Sequence, residues 1–235
     1  MSSIVERIRA ELKKSTDEKT QNSFQRFFKE EVKCYGVKTG VVGNIARKYW
    51  TEVKKMKKKE IYALCEELFS SDITEEAFIV SYWGARFKPF AASSDLAIFK
   101  KWIDRYINNW AKCDGFCNHA VGDLIMAHPQ KIIELRKWAK SKNRWMKRAA
   151  AVTLIVPAKQ GMFLDEAFQI SSIMLEDKDD MVQKGYGWLL KEESRKHQKE
   201  VFDFVMRNKE IMPRTALRYA IELMPQNLRA KAMKK

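Results

Sequence analysis

Helix signals recur along this chain at a regular pace, about one helix pair every ~35 residues, and that rhythm leaves few folds open. Asp72-Ile73-Thr74-Glu75 reads as an N-cap with a Glu at the third helical position. Ser94-Asp95 precedes Leu96, Ile98, Phe99, Trp102 and Ile103, which are spaced for one helical face. His128-Pro129 puts proline where a helix can start, with Ile132, Ile133, Leu135, Trp138 and Ala139 as its apolar stripe. Asn143 can cap the next helix, and Pro157 is expected to end it. Asp165, Asp179 and Met212-Pro213 open three more. Short polar turns separate these units, and no convincing apolar–polar alternation marks a strand.

The rhythm fits the HEAT and armadillo class of helical repeats, although direct self-similarity is weak. The expected fold is therefore all-α: a HEAT-like superhelix, or α-solenoid, with a concave basic groove. The 235 residues contain 9 Gly and 5 Pro, a scarcity that argues against a loop-rich β fold. No linker composition divides the chain, so one repeat domain over 1–235 is expected. The polar stretches 1–20 and 229–235 are expected to fray.

Net charge is +15, with 45 Lys and Arg against 30 Asp and Glu. Charge of that size speaks to partners, and polyanions come first. From Lys131 to Ala150 come Lys131, Arg136, Lys137, Lys140, Lys142, Arg144, Lys147 and Arg148, against one acid, Glu134. A second cluster holds Arg47, Lys48, Lys54, Lys55, Lys57, Lys58 and Lys59. Such runs are often solvated helix faces. Here the excess is chain-wide and one run carries two Trp, which favours tracking of a phosphate backbone without a sequence code.

Cys34, Cys65, Cys113 and Cys117 make no disulfide framework. The first residues lack an apolar signal core, and no apolar run reaches the ~20 residues of a membrane span. These readings lead to the expectation of a soluble cytoplasmic protein with reduced thiols. Cys113 and Cys117 are four apart with His119 nearby, yet His119 would point off their shared face, so no metal site is expected. None of the three histidines sits in a nucleophile motif, and no glycine-rich phosphate loop is present. What remains is Trp110-Ala111-Lys112-Cys113-Asp114, where Trp110 and Asp114 project together on a helix. An indole face beside a carboxylate suits a cationic reacting centre; a packed aromatic beside a solvated acid is the plainer alternative. Arg148 reads equally as a phosphate clamp or as a repeat-internal arginine tying adjacent turns to an acid.

The stretch Tyr106-Ile107-Asn108-Asn109-Trp110-Ala111-Lys112-Cys113-Asp114, continuing through Gly122-Asp123-Leu124 to His128-Pro129, resembles the AlkD-type DNA alkylation repair glycosylases. So do Asn143-Arg144-Trp145-Met146-Lys147-Arg148-Ala149-Ala150-Ala151 and Val182-Gln183-Lys184-Gly185-Tyr186-Gly187-Trp188-Leu189-Leu190-Lys191-Glu192. The ordered set, with the early Tyr35-Gly36-Val37 turn, spans roughly residues 20 to 225. The resemblance implies HEAT-like repeats and hydrolysis of the N-glycosidic bond of N3- and N7-alkylated purines in duplex DNA, with no cofactor. It implies that Asp114 is the catalytic carboxylate, that Trp110 and Trp188 flank the lesion's deoxyribose, and that Arg148 supports the site. DNA contacts are expected from Phe27, Arg26, Lys142, Arg144, Lys147 and Lys184, in a monomer associated with the nucleoid when on DNA.

The family often has Tyr after Arg in its early helix. Here Phe27 follows Arg26, so the ring face is kept and the hydroxyl is lost. A Pro common after the Gly36-Val37 turn is also absent, with Gly40 and Val41 nearby. The alternatives are a non-catalytic binder of bent or branched DNA and a helical-repeat scaffold for an acidic protein. A single-stranded RNA binder would need near-identical repeats, which these are not.

Overall fold

The computed structural model describes residues 2–234 and is all-helical, with no strand among the described residues. The chain divides into two compact units, 1–116 and 117–235, with the boundary inside helical sequence and not in a linker.

The first unit holds α1 (Ile4–Lys14), α2 (Glu18–Phe27), α3 (Thr39–Val53), α4 (Lys58–Ser70), α5 (Thr74–Gly84), α6 (Asp95–Tyr106) and α7 (Trp110–Phe116). Alternate helices pack: α3 on α5 and α5 on α7 form one row, while α1, α4 and α6 form a second. Two rows of alternating helices are the arrangement that stacked helix pairs require. Between the rows lies an aromatic core. Phe116, the last residue of α7, meets Phe69 and Phe99 edge-on, each at 5.4 Å between ring centroids. Burying a ring of this kind contributes about 1.5–3 kcal/mol, so the end of α7 is firmly rooted.

The second unit begins with a π-helical turn, Cys117–Val121. It continues with α8 (Gly122–Ala127), a 3-10 turn (Pro129–Lys131), α9 (Ile132–Ala139), α10 (Arg144–Val152), α11 (Ile155–Lys159) and α12 (Leu164–Ile173). The long α13 (Asp180–Glu193), then α14 (Gln198–Asn208), α15 (Arg214–Ala220) and α16 (Gln226–Met233), complete it. Helix α13 packs on both α10 and α15. Gly187 permits the second contact, because a Cβ there would lie 2.8 Å from the Tyr219 Cβ and 2.9 Å from the Ala216 carbonyl.

Several local expectations are corrected. Asp72 does not cap α5. It adopts φ +63°, Ile73 occupies the cap position, and Asp72 is free to bind elsewhere. Pro157 does not end α10, which stops at Val152; it is the third residue of α11, where its missing N–H costs nothing. Asp165 lies in the first turn of α12 behind Phe163, itself at φ +68°. Asp179 does cap α13, accepting from the Met181 and Val182 amides, and Pro213 opens α15. Helices lie in both terminal stretches. In α1, Ser3 and Glu6 form a reciprocal capping box, and Val5, Ile8 and Leu12 are fully buried. Helix α16 runs to Met233 and buries Ala232. Cys113 and Cys117 are buried and form no disulfide, and no cluster of three metal-capable side chains forms among the described residues.

One buried group has a consequence for stability. Glu193 ends α13 with no exposed surface, and neither carboxylate oxygen has a hydrogen-bond partner among the described residues. Burial, reinforced by the negative charge of Glu166, pushes its carboxyl up to about 8 from an ordinary 4.5. Between those two values the unfolded chain gives up a proton that the folded chain keeps. Stability from this group therefore falls as pH rises, by about 1.4 kcal/mol per pH unit. In denaturant titrations at pH 5 and pH 8, Glu193→Gln should gain stability relative to the parent at pH 8 and lose that advantage at pH 5. The same difference at both pH values would contradict this reading.

Candidate active site

In the first unit the site is built on α7. Asn109 precedes the helix, and its Oδ1 accepts the Lys112 amide at 3.0 Å, so the first turn begins at a fixed point. Trp110 is the first helical residue and Asp114 stands one turn later; both are partly exposed. At that spacing they share a face, as the sequence indicates. Gly115 lets α5 come close, since a Cβ at this position would sit 3.1 Å from the Ser81 hydroxyl oxygen.

The end of α2 reaches the same place. Phe27 is 73% exposed, yet its ring centroid lies 6.2 Å from that of Trp110. An aromatic side chain so exposed, beside a half-exposed indole, forms an open stacking surface. Phe28 is buried and stacks on Trp110 at 5.4 Å with 27° between planes. The structure thus brings Phe27 and Trp110 together on the helix that carries Asp114. Arg26, one residue earlier, is exposed.

Beneath this face, Lys112 turns inward. Its side chain is 2% exposed, and its Nζ donates to the Asp72 carboxylate at 2.8 Å, the Asp72 carbonyl at 2.9 Å and Asn108 Oδ1 at 2.9 Å. Burial drives the Lys112 ammonium below the usual lysine range, and the Asp72 carboxylate opposes that shift. A buried ammonium is tolerated only when its donors are met, and here all three are.

In the second unit, Arg148 on α10 is buried and its Nη1 donates to the Met181 carbonyl at 2.6 Å. Gly185 lies against it: a Cβ there would meet the Arg148 Cγ at 3.4 Å, an ordinary van der Waals contact. Trp188 lies one turn beyond Gly185 on α13, partly exposed, with its Nε1 held by Glu192 Oε1 at 3.1 Å. Met181, Gly185 and Trp188 share a helix side, so Arg148 and Trp188 belong to one α10–α13 pair. The bond joins α10 to α13 through a backbone carbonyl and not through an acid.

The cations divide into two groups. Arg144 meets Asp179 at 2.8 Å and lies over the Trp145 ring at 5.0 Å. Lys147 pairs with Asp177, and Lys184 with Asp180 at 2.8 Å. Lys142 is exposed and forms no ion pair among the described residues. The basic run of α9–α10 is therefore partly neutralised by an acidic turn from the next repeat. The sequence carried a signal for this in Asp177-Lys178-Asp179-Asp180, which falls one repeat after Asn143-Arg144. Sequence reasoning also missed Phe28 and Lys112. The first has an adjacent-aromatic signal in Phe27-Phe28; the second has none, because a lysine in a basic chain reads as solvated.

Comparison with known proteins agrees with this picture. No curated protein matches the sequence significantly. Among solved structures, a protein described as a predicted DNA alkylation repair enzyme from Enterococcus faecalis superposes with a TM-score of 0.81. It covers 90% of this chain and 98% of its own at 13% identity, which establishes a shared fold. The family model described as DNA alkylation repair enzyme matches residues 8–224, nearly the whole length, and this chain belongs to that family, whose work on DNA implies DNA binding.

Proposed function

We propose that this protein is a DNA glycosylase that hydrolyses the N-glycosidic bond of N3- and N7-alkylated purines in duplex DNA. The observation that carries the reading is the pairing of Trp110 and Asp114 on one face of α7, with Phe27 beside the indole. An N-alkylated purine already bears positive charge and leaves as a neutral base, so strong acid catalysis is unnecessary. As the bond from C1′ to the base nitrogen breaks, positive charge moves onto the sugar. Preorganised negative potential is the economical way to stabilise it. The Asp114 carboxylate supplies negative charge and the indole face a negative potential. Water then adds to C1′ and loses its proton, leaving an abasic site and the free base.

Arg148 and Trp188 have the assigned roles of supporting the site and flanking the sugar, and their shared α10–α13 pair suits a concerted contribution. Exposed Lys142 suits phosphate contact, as does Arg26. Arg144, Lys147 and Lys184, held by aspartates, contribute less free charge than the sequence suggests. We assign the protein action as a monomer, with sequence-independent binding.

Two experiments test this. The first measures release of 3-methyladenine and 7-methylguanine from methylated duplex DNA. Asp114→Asn should retain duplex affinity and slow release by about 100-fold or more; equal release by both proteins would remove Asp114 from its role. Release by neither would favour a non-catalytic DNA binder. The second measures duplex affinity against salt concentration. Lys142→Ala should weaken binding and flatten the slope of log K against log salt by about 0.9. An unchanged slope would mean that Lys142 touches no phosphate.

A further inference from the structure

The segment between α2 and α3 has no regular structure, so its backbone donors need partners from elsewhere. Glu75, fully buried at the start of α5, provides them. Its Oε2 accepts the Tyr35 amide at 3.0 Å; its Oε1 accepts the Gly36 amide at 2.8 Å and the Val37 amide at 3.0 Å. Next to it, the buried Glu76 accepts the Tyr35 hydroxyl at 2.7 Å and the Arg9 guanidinium. The Thr74 amide donates to the Lys33 carbonyl at 2.8 Å. Gly36, at φ +82°, folds the segment back on α2, and a Cβ there would lie 2.5 Å from the Gln21 Cβ.

The same turn also holds α7. Asp72, at the left-handed φ of +63°, receives Lys112 from α7 and Asn108 Nδ2, the latter at 2.6 Å. Five consecutive residues, 72–76, therefore grip two separate parts of the chain. One is the segment that leaves the aromatic end of α2. The other is the helix that carries Trp110 and Asp114. Phe28 and Trp110 stack between these two anchor points.

We propose that the Asp72–Glu76 turn is a positioning element that sets the register of Phe27 and Phe28 against Trp110, with Glu75 and Lys112 as its positioning residues. The strength of the grip lies in its chemistry. An ionised carboxylate accepting three backbone amides makes charge-assisted bonds that neutral substitutes cannot match. In Gln one oxygen becomes an NH₂ donor facing a backbone donor, so Glu75→Gln opposes the loop while nearly preserving volume. Any effect on base excision rests on the glycosylase reading; the register itself does not.

The test reads both. The emission of Trp110 is taken as the difference between each protein and its Trp110→Phe counterpart, which isolates one indole among seven. Excision of 7-methylguanine is followed in single turnover at saturating protein. Glu75→Gln should shift Trp110 emission to the red and slow excision roughly tenfold or more with duplex affinity retained. In a Phe28→Leu background it should add little, because both changes loosen one contact. If Glu75→Gln does not fold, Lys112→Met severs the other limb and is read in the same way. Unchanged Trp110 emission, or the same fold-loss in both backgrounds, would overturn the proposal. If the parent protein releases no base, the glycosylase reading fails and the emission shift alone decides the register.

Discussion

A lysine ammonium buried two residues after Trp110 fixes where the rest of α7 can go. Lys112 has no exit to solvent, so its charge must be met by Asp72, the Asp72 carbonyl and Asn108. Removing any of them would leave a buried donor unsatisfied, a costly state in a low-dielectric interior. With Phe116 set in the aromatic core at the other end, the short helix is held at both termini. Its remaining face, bearing Trp110 and Asp114, is thereby presented in a fixed orientation. A site that stabilises charge in a transition state needs this property, since dipoles and charges that must reorganise lose their advantage.

The electrostatics of the second unit follow a different logic. Asp177, Asp179 and Asp180 cluster at the start of α13 and take up Lys147, Arg144 and Lys184. Asp179 also caps α13, so one carboxylate starts a helix and joins it to α10. These pairs bind repeat to repeat. The charge left for a polyanion resides in exposed side chains such as Lys142, and net charge alone overstates how much of it a duplex would meet.

Much of the architecture was legible. The spacing of apolar residues located the helices, Asp179 and Pro213 marked two of their starts, and the i, i+4 relation placed Trp110 and Asp114 on one face. What escaped was long-range. Asp72 looks like a helix cap because its local sequence fits one, yet its carboxylate is taken by Lys112, forty residues away. Glu75 looks like a capping-box acid, yet it serves the backbone of a loop some forty residues earlier. Local pattern cannot see a partner one repeat distant, and stacked helix pairs place such partners against each other.

The central claim is electrostatic: a carboxylate and an indole face favour a sugar that becomes cationic when the departing base already carries positive charge. The most direct measurement compares excision of a cationic lesion, 7-methylguanine, with excision of a neutral one, hypoxanthine, from otherwise identical duplexes. The account predicts release of the cationic base and negligible release of the neutral one. Comparable rates for both would contradict it.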